Sequence, residues 1–239
     1  MLNTDLDIKT LRENFHLDKR LKIENFLKPE IAEQLRNACL NHVPFSLQYV
    51  LDGEYQSKTP AELSKLTPQE ANDMHNKVLT EASKGVGFLY DGYLRSRVDP
   101  NSSSWQNEEL EFAHKVFDDM SSDDVINVIK QITDNQEING AEPQYTRYTN
   151  GHFLTRHLDI VPGRGRRFAF VLGLTKDWHP DWGGLLQFYE ENGTPRDAWM
   201  PEFNTLSIFE VTHVHSVSYV TPFAAAPRLS LTGWFVVKD

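Results

Sequence analysis

Apolar and polar positions alternate on two different periods along the 239-residue chain. In the first part the spacing is helical. "LKPEIAEQLRNACL" puts Ile31, Leu35 and Ala38 on one face, with Pro29 in the first turn, where a missing N–H is not needed. "TPAE" at Thr59 and "TPQE" at Thr67 both read as capping boxes, with Thr as N-cap, Pro at the first helical position and Glu two residues further on. Two more helices are expected, one near Asn107 to Asp119 and one after Ser122 that carries Val125, Ile126, Ile129 and Ile132. From Glu142 the pattern changes to short β-rich runs punctuated by Gly, Pro and Asn: "PQYTRYT", "HFLTRHLDI", "RRFAFVLGL", "GLLQFYE", "NTLSIFEV", "HSVSYV" and "RLSLTGWFVV". Many short strands of this kind predict a sandwich or a squat barrel.

No repeat or obvious linker separates the halves, so one domain over residues 1–239 is expected. In it, residues 1–135 form a mainly helical support region and residues 142–237 the β core, with the helices packed outside the sheet. "LQYVLDGEYQSKTP", between helices, reads either as a loop able to cover a substrate or as plain connection.

Composition narrows the class. A chain that is 39% hydrophobic and 24% charged is that of a globular protein with a substantial core. Cys39 is the only cysteine, which excludes an internal disulfide and a thiolate metal cluster, so any metal must use His, Asp and Glu. The N-terminal "MLNTDLDIKTLRENF" has no apolar leader core and no stretch approaches a membrane span; a cytoplasmic setting without a membrane partner is the expectation. A net charge of −10 argues against a nucleic-acid partner. The one basic cluster, "PGRGRRF" with Arg164, Arg166 and Arg167, reads as a solvated turn ahead of a strand.

His-x-Asp, a spacing used by metal sites, occurs three times: His16/Asp18, His157/Asp159 and His179/Asp181. The bare motif is weak. The first pair lies in a charged lead-in expected to be helical or irregular; in a helix, residues two apart point to nearly opposite sides. The third flanks Pro180 in a turn between strands. His157 and Asp159 end an extended run, where residues two apart share a face, although a simple His–Asp hydrogen bond would explain them equally well. The balance shifts at "FEVTHVHSVSYV", where His213 and His215 also sit two apart. Two imidazoles and one carboxylate supply the facial donor set of non-haem Fe(II) oxygenases, which leaves coordination positions open. A doubly negative keto acid chelated there would need a fixed guanidinium for its far carboxylate, and Arg228 follows on a later strand.

With these residues assembled, the chain from about Gln144 to Val237 resembles the Fe(II)- and 2-oxoglutarate-dependent dioxygenases of the prolyl 4-hydroxylase type, bacterial members and protein-directed prolyl hydroxylases in particular. The matching blocks, in order, are "RYTNGHFLTRHLD", "RRFAFVLGLTKDW", "WGGLLQFY", "PEFNTLSIF", "HSVSYV" and "RLSLTGWF". The resemblance implies an α+β fold with a double-stranded β-helix (jelly-roll) core and supporting N-terminal helices. It makes His157, Asp159 and His215 the iron ligands and leaves His213 in their surroundings or at the rim. It assigns Arg228 to the 2-oxoglutarate C5 carboxylate, and Tyr148, Thr232 and Trp234 to the lining of the co-substrate pocket. Where several prolyl hydroxylases carry a supporting tyrosine this chain has Gly173, so Tyr148, Thr232 or Ser230 must supply the hydroxyl, or co-substrate binding is altered.

The implied activity is hydroxylation of a substrate carbon, most simply a prolyl residue of a protein, with succinate and carbon dioxide as co-products. Dioxygen is the co-reactant and ascorbate a candidate reductant. A target in the translation machinery is what the closest resemblance suggests, with small molecules remaining open. The competing class is a non-catalytic, metal-containing β-barrel that binds or senses a ligand; an open donor set argues against it, because structural sites close theirs. Nucleic-acid demethylation is disfavoured by the acidic balance and by "RLSLTGW", which lacks a second arginine after Arg228.

Overall fold

The computed structural model describes residues 1–94 and 107–238. Its elements, in chain order, are α1 (Ile8–Asp18), β1 (Arg20–Ile23), α2 (Pro29–Asn41), β2 (Ser46–Leu51), β3 (Glu54–Lys58), α3 (Pro60–Leu63), α4 (Pro68–Ala82) and β4 (Phe88–Tyr93). They continue as α5 (Glu108–Asp119), α6 (Asp123–Thr133), β5 (Gly140–Tyr148), β6 (Phe153–His157), β7 (Arg166–Gly173), β8 (Leu186–Tyr189), β9 (Pro195–Trp199), β10 (Thr205–Glu210), β11 (His215–Val217) and β12 (Arg228–Val236).

The expected helix starts form for the expected reasons. Thr59 and Thr67 each accept from the backbone N–H of the Glu two places beyond their proline, and that Glu returns a bond to the Thr backbone. Asn107 and Ser122 cap α5 and α6.

All strands are antiparallel and belong to one curled sheet, in the order β1-β10-β7-β12-β5-β4-β6-β11-β8-β9, with the β2–β3 hairpin attached through β4. The curl brings the two ends face to face, so that Phe188 of β8 meets Phe209 of β10 edge-on at 5.1 Å. Strand periodicity then assigns the faces. Leu229, Leu231 and Phe235 of β12, with Phe168, Phe170 and Leu172 of β7, turn outward against Phe15, Leu35, Leu110 and Ile129 of the helices. Arg228, Thr232 and Trp234, with Gln144, Thr146 and Tyr148 of β5, turn inward and line a cavity. This is the jelly-roll arrangement with supporting helices that the resemblance implied.

The N-terminal part departs from its helical expectation, because β1 and β4 are built into the sheet. β1 extends it beyond β10, and β4 bridges β5 and β6. "LQYVLDGEYQSK" is a hairpin and not a loop, turning at Asp52 and Gly53, both with positive φ, as a two-residue hairpin turn requires. The "DG" signal was present in the sequence, masked by the helical pattern on both sides.

A candidate metal centre beneath a buried arginine

β6 and β11 are neighbours, and their register sets His157 directly opposite His215. Asp159 lies two residues beyond the end of β6, and its carboxylate closes the group. Its oxygens stand 3.6 Å from His157 Nε2 and 3.3 Å from His215 Nε2. One donor atom from each of the three lies within 4.8 Å of the others. Both imidazoles are turned by the backbone. His157 Nδ1 donates to the Thr155 carbonyl at 2.9 Å and His215 Nδ1 to the His213 carbonyl at 3.0 Å, which fixes the tautomer and leaves each Nε2 lone pair facing Asp159. Burial beside His157 pushes the His215 pKa down to about 4, so the ring is neutral and ready to ligate at neutral pH. Phe209 closes one side of His215, edge-on at 4.7 Å.

The other sequence candidates fall elsewhere. His16 and Asp18 belong to α1, where exposed His16 contacts Lys19 and Asp18 pairs with Arg20 and Arg196. His179 caps a short, exposed 3₁₀ turn, Pro180–Trp182, that contains Asp181. His213 is not on the strand with His215, as the spacing suggested, but in the turn before it, with Nε2 donating to the Asp18 carbonyl at 3.0 Å.

The cavity that the triad lines is also walled by Tyr90, Tyr148, Leu186, Val217, Thr232 and Trp234, and Arg228 lines it too. Arg228 is 2% exposed, its Nε has no hydrogen-bond partner, and no carboxylate pairs with it among the described residues. Burial pulls its pKa below the ordinary arginine range, opposed by the Tyr148 hydroxyl. Tyr148 lies under the guanidinium at 5.0 Å, and Tyr90 stacks on Tyr148 at 5.2 Å. Both phenols are pushed up by burial and stay neutral. Thr146 Oγ1, Ser230 Oγ and Trp234 Nε1 are also buried without partners. A lone buried guanidinium beside orphaned donors is costly unless an anion completes it. An anion such as a dicarboxylate matches the chemistry of this lone guanidinium and its neighbouring hydroxyls. The Arg166 guanidinium lies 3.4 Å over the Trp234 ring.

Sequence reasoning missed Tyr90, which comes from the part read as helical. The alternation of "FLYDGY" was its only signal. Gly173 has a backbone reason: an added Cβ would lie 2.1 Å from the Glu202 carbonyl oxygen, so the strand here must stay bare for the 200–204 segment to pass.

Residues 143–236 match the 2OG-Fe(II) oxygenase superfamily. A stretch of 78 residues is 42% identical to prolyl 3-hydroxylase OGFOD1 of Xenopus laevis and covers 30% of this chain but 15% of that protein. The mouse protein of the same name is 41% identical over 78 residues, which are 14% of its length. Among solved structures, a Pseudomonas putida prolyl-4-hydroxylase superposes with a TM-score of 0.60 at 20% identity over 97% of this chain and 100% of its own. A Trichoplax adhaerens prolyl hydroxylase, solved with a hypoxia inducible factor oxygen degradation domain peptide fragment, gives 0.60 at 16% identity over 96% and 89%. At such identities the structures establish the fold. Over residues 143–236 the β core thus matches the 2OG-Fe(II) oxygenase superfamily, and the His157/Asp159/His215 donor set suits the Fe(II) of that family. No helix among the described residues is long and apolar enough to cross a membrane.

Proposed function

We propose that this protein is an Fe(II)- and 2-oxoglutarate-dependent dioxygenase that hydroxylates a prolyl residue of a protein substrate. The observation that carries the proposal is the shared cavity, lined by both the His157/Asp159/His215 donor set and the unpaired guanidinium of Arg228. Iron bound with 2-oxoglutarate supplies dioxygen-dependent hydroxylation, with succinate and carbon dioxide as co-products. The chain's part is positional. His157 and His215 present fixed Nε2 lone pairs, Asp159 adds the negative oxygen, and Arg228 sets the co-substrate's far end with neutral hydroxyls around it. Tyr90, Tyr148 and Trp234 shield the interior from water.

Prolyl specificity is supported by the similarity of a 78-residue stretch to the prolyl 3-hydroxylases, and by the superposed prolyl hydroxylase structures. A target in the translation machinery and a cytoplasmic setting are part of this proposal; the single, buried Cys39 suits a reducing compartment. Nothing in the comparisons favours a non-catalytic barrel.

The test begins with metal-free protein held without oxygen and titrated with Fe(II) and then 2-oxoglutarate. A visible charge-transfer band that bleaches on admitting oxygen, with succinate released, is expected. Prolyl-peptide mixtures then report 3- or 4-hydroxyproline by mass spectrometry. Iron binding without a band would favour a binding protein; turnover without hydroxyproline would move the substrate away from proline.

A further inference from the structure

The His16/Asp18 pair is not part of the His157/Asp159/His215 group, yet the Asp18 carbonyl is bonded to His213, two residues before His215. His213 lies between β10 and β11, half-buried, with its ring edge-on to Phe188. Its own carbonyl accepts the His215 Nδ1–H at 3.0 Å, while its Nε2 donates to the Asp18 carbonyl at 3.0 Å. A carbonyl acceptor requires a proton on Nε2, so that nitrogen is the donor and the ring is held by this bond. Asp18 is held in turn: its carboxylate accepts from Arg20 Nε at 2.6 Å and from Arg196 Nη2 at 2.8 Å. The next residue, Lys19, accepts the Glu210 N–H through its carbonyl at 3.0 Å. Arg20 lies over the ring of Phe188, at 4.5 Å, and bonds Asp197.

We infer that His213 is a positioning residue, whose side chain ties the turn that orients His215 to the α1–β1 junction. The inference rests on the reading of His215 as a metal ligand. It makes the N-terminal twenty residues, outside the family-matched core, part of the centre's support. Without the His213–Asp18 bond, the carbonyl that fixes the His215 tautomer is free to turn with its loop.

The decisive comparison is His213→Gln, which keeps an amide donor near the Nε2 position, against His213→Leu, which fills the space without one. In metal-free, ¹⁵N-labelled protein, the His215 Nδ1–H is expected to stay protected from solvent exchange in wild type and His213→Gln. In His213→Leu it should exchange about tenfold faster, and Co(II) affinity, read from its visible absorption, should fall by about tenfold, the lower end for lost outer-shell partners. Equal protection and equal Co(II) affinity in all three overturns the inference, as does equal loss in Gln and Leu. Should His213→Leu not fold, Arg196→Gln loosens Asp18 from its exposed side, and unchanged His215 exchange there overturns it too. Wild-type protein that binds no Co(II) would instead remove the ligand reading, with the exchange data still deciding the tether.

Discussion

His157 and His215 face each other across the β6–β11 pair with ring centroids 4.2 Å apart, and Asp159 lies against the Nε2 atoms of both. Each ring is fixed through its Nδ1, bonded to the backbone carbonyl two residues earlier in the chain. Replacing His157, Asp159 or His215 with Ala is therefore expected to abolish succinate formation and to weaken Fe(II) binding by more than ~100-fold, beyond the range for outer-shell losses. His179→Ala, in solvent, should bind iron as wild type does. Equilibrium dialysis with iron analysis, run beside a succinate assay, checks both; a triad variant that still turns over would remove it from the ligand set.

Arg228 presents the complementary charge in the same cavity. Arg228→Ala removes a charge-assisted contact without touching the triad, so 2-oxoglutarate affinity should fall by roughly 10- to 100-fold while Fe(II) affinity holds. Arg228→Lys keeps charge but not the fork, and an intermediate loss is expected. Titration of the charge-transfer band gives both constants. An unchanged 2-oxoglutarate constant in Arg228→Ala would mean that the co-substrate lies elsewhere.

Much of this centre was legible in the sequence, and the reason is local. His157 and Asp159 are two apart at a strand end, and Arg228, Thr232 and Trp234 alternate on one strand, so period alone gathers them on one face. The β core was legible for the same reason, since each of its strands carries its own alternation. Tyr90 and the Asp18–His213 tether were not, because both depend on which distant strands pair, and β4 and β1 are short strands hidden among strong helical signals. The spacing of His213 misled, because β11 starts only at His215 and the two rings therefore do not share a face.

Metal-free protein should be acid-sensitive through His215. Its folded pKa, about 4, lies below the ordinary histidine value near 6.5, so between these values the unfolded chain holds a proton that the native state refuses. Stability is then full above pH ~6.5 and falls as pH drops toward ~4, by on the order of 3 kcal/mol from this group. Metal should shift the transition to lower pH, because it occupies the lone pair the proton would take. Urea unfolding at several pH values, repeated with His215→Gln, isolates the contribution; identical pH slopes for the two proteins would assign it to other groups.

Gly173 stands where several prolyl hydroxylases were expected to carry a tyrosine, and the backbone around it explains the difference. The Glu202 carbonyl oxygen would stand 2.1 Å from a Cβ there. Asn204, two residues on, donates its N–H to the Gly173 carbonyl at 2.8 Å, and its side chain holds both backbone groups of Leu27 at 2.9 and 2.8 Å. A side chain at 173 must therefore displace the 200–204 segment, and with it the anchor of the N-terminal strand region. Gly173→Ala is expected to lose roughly 3 kcal/mol, at the upper end for overpacking. In a chain of this size that lowers Tm by about 6–12 °C. Gly173→Tyr should be worse still and should not tighten 2-oxoglutarate binding, since its ring has no room to turn toward Arg228. Differential scanning calorimetry of both variants, with charge-transfer titration of whichever folds, is the check. A stable Gly173→Tyr protein with improved 2-oxoglutarate affinity would show that the 200–204 segment yields easily, and that the missing hydroxyl, not the close approach, is what glycine decides here.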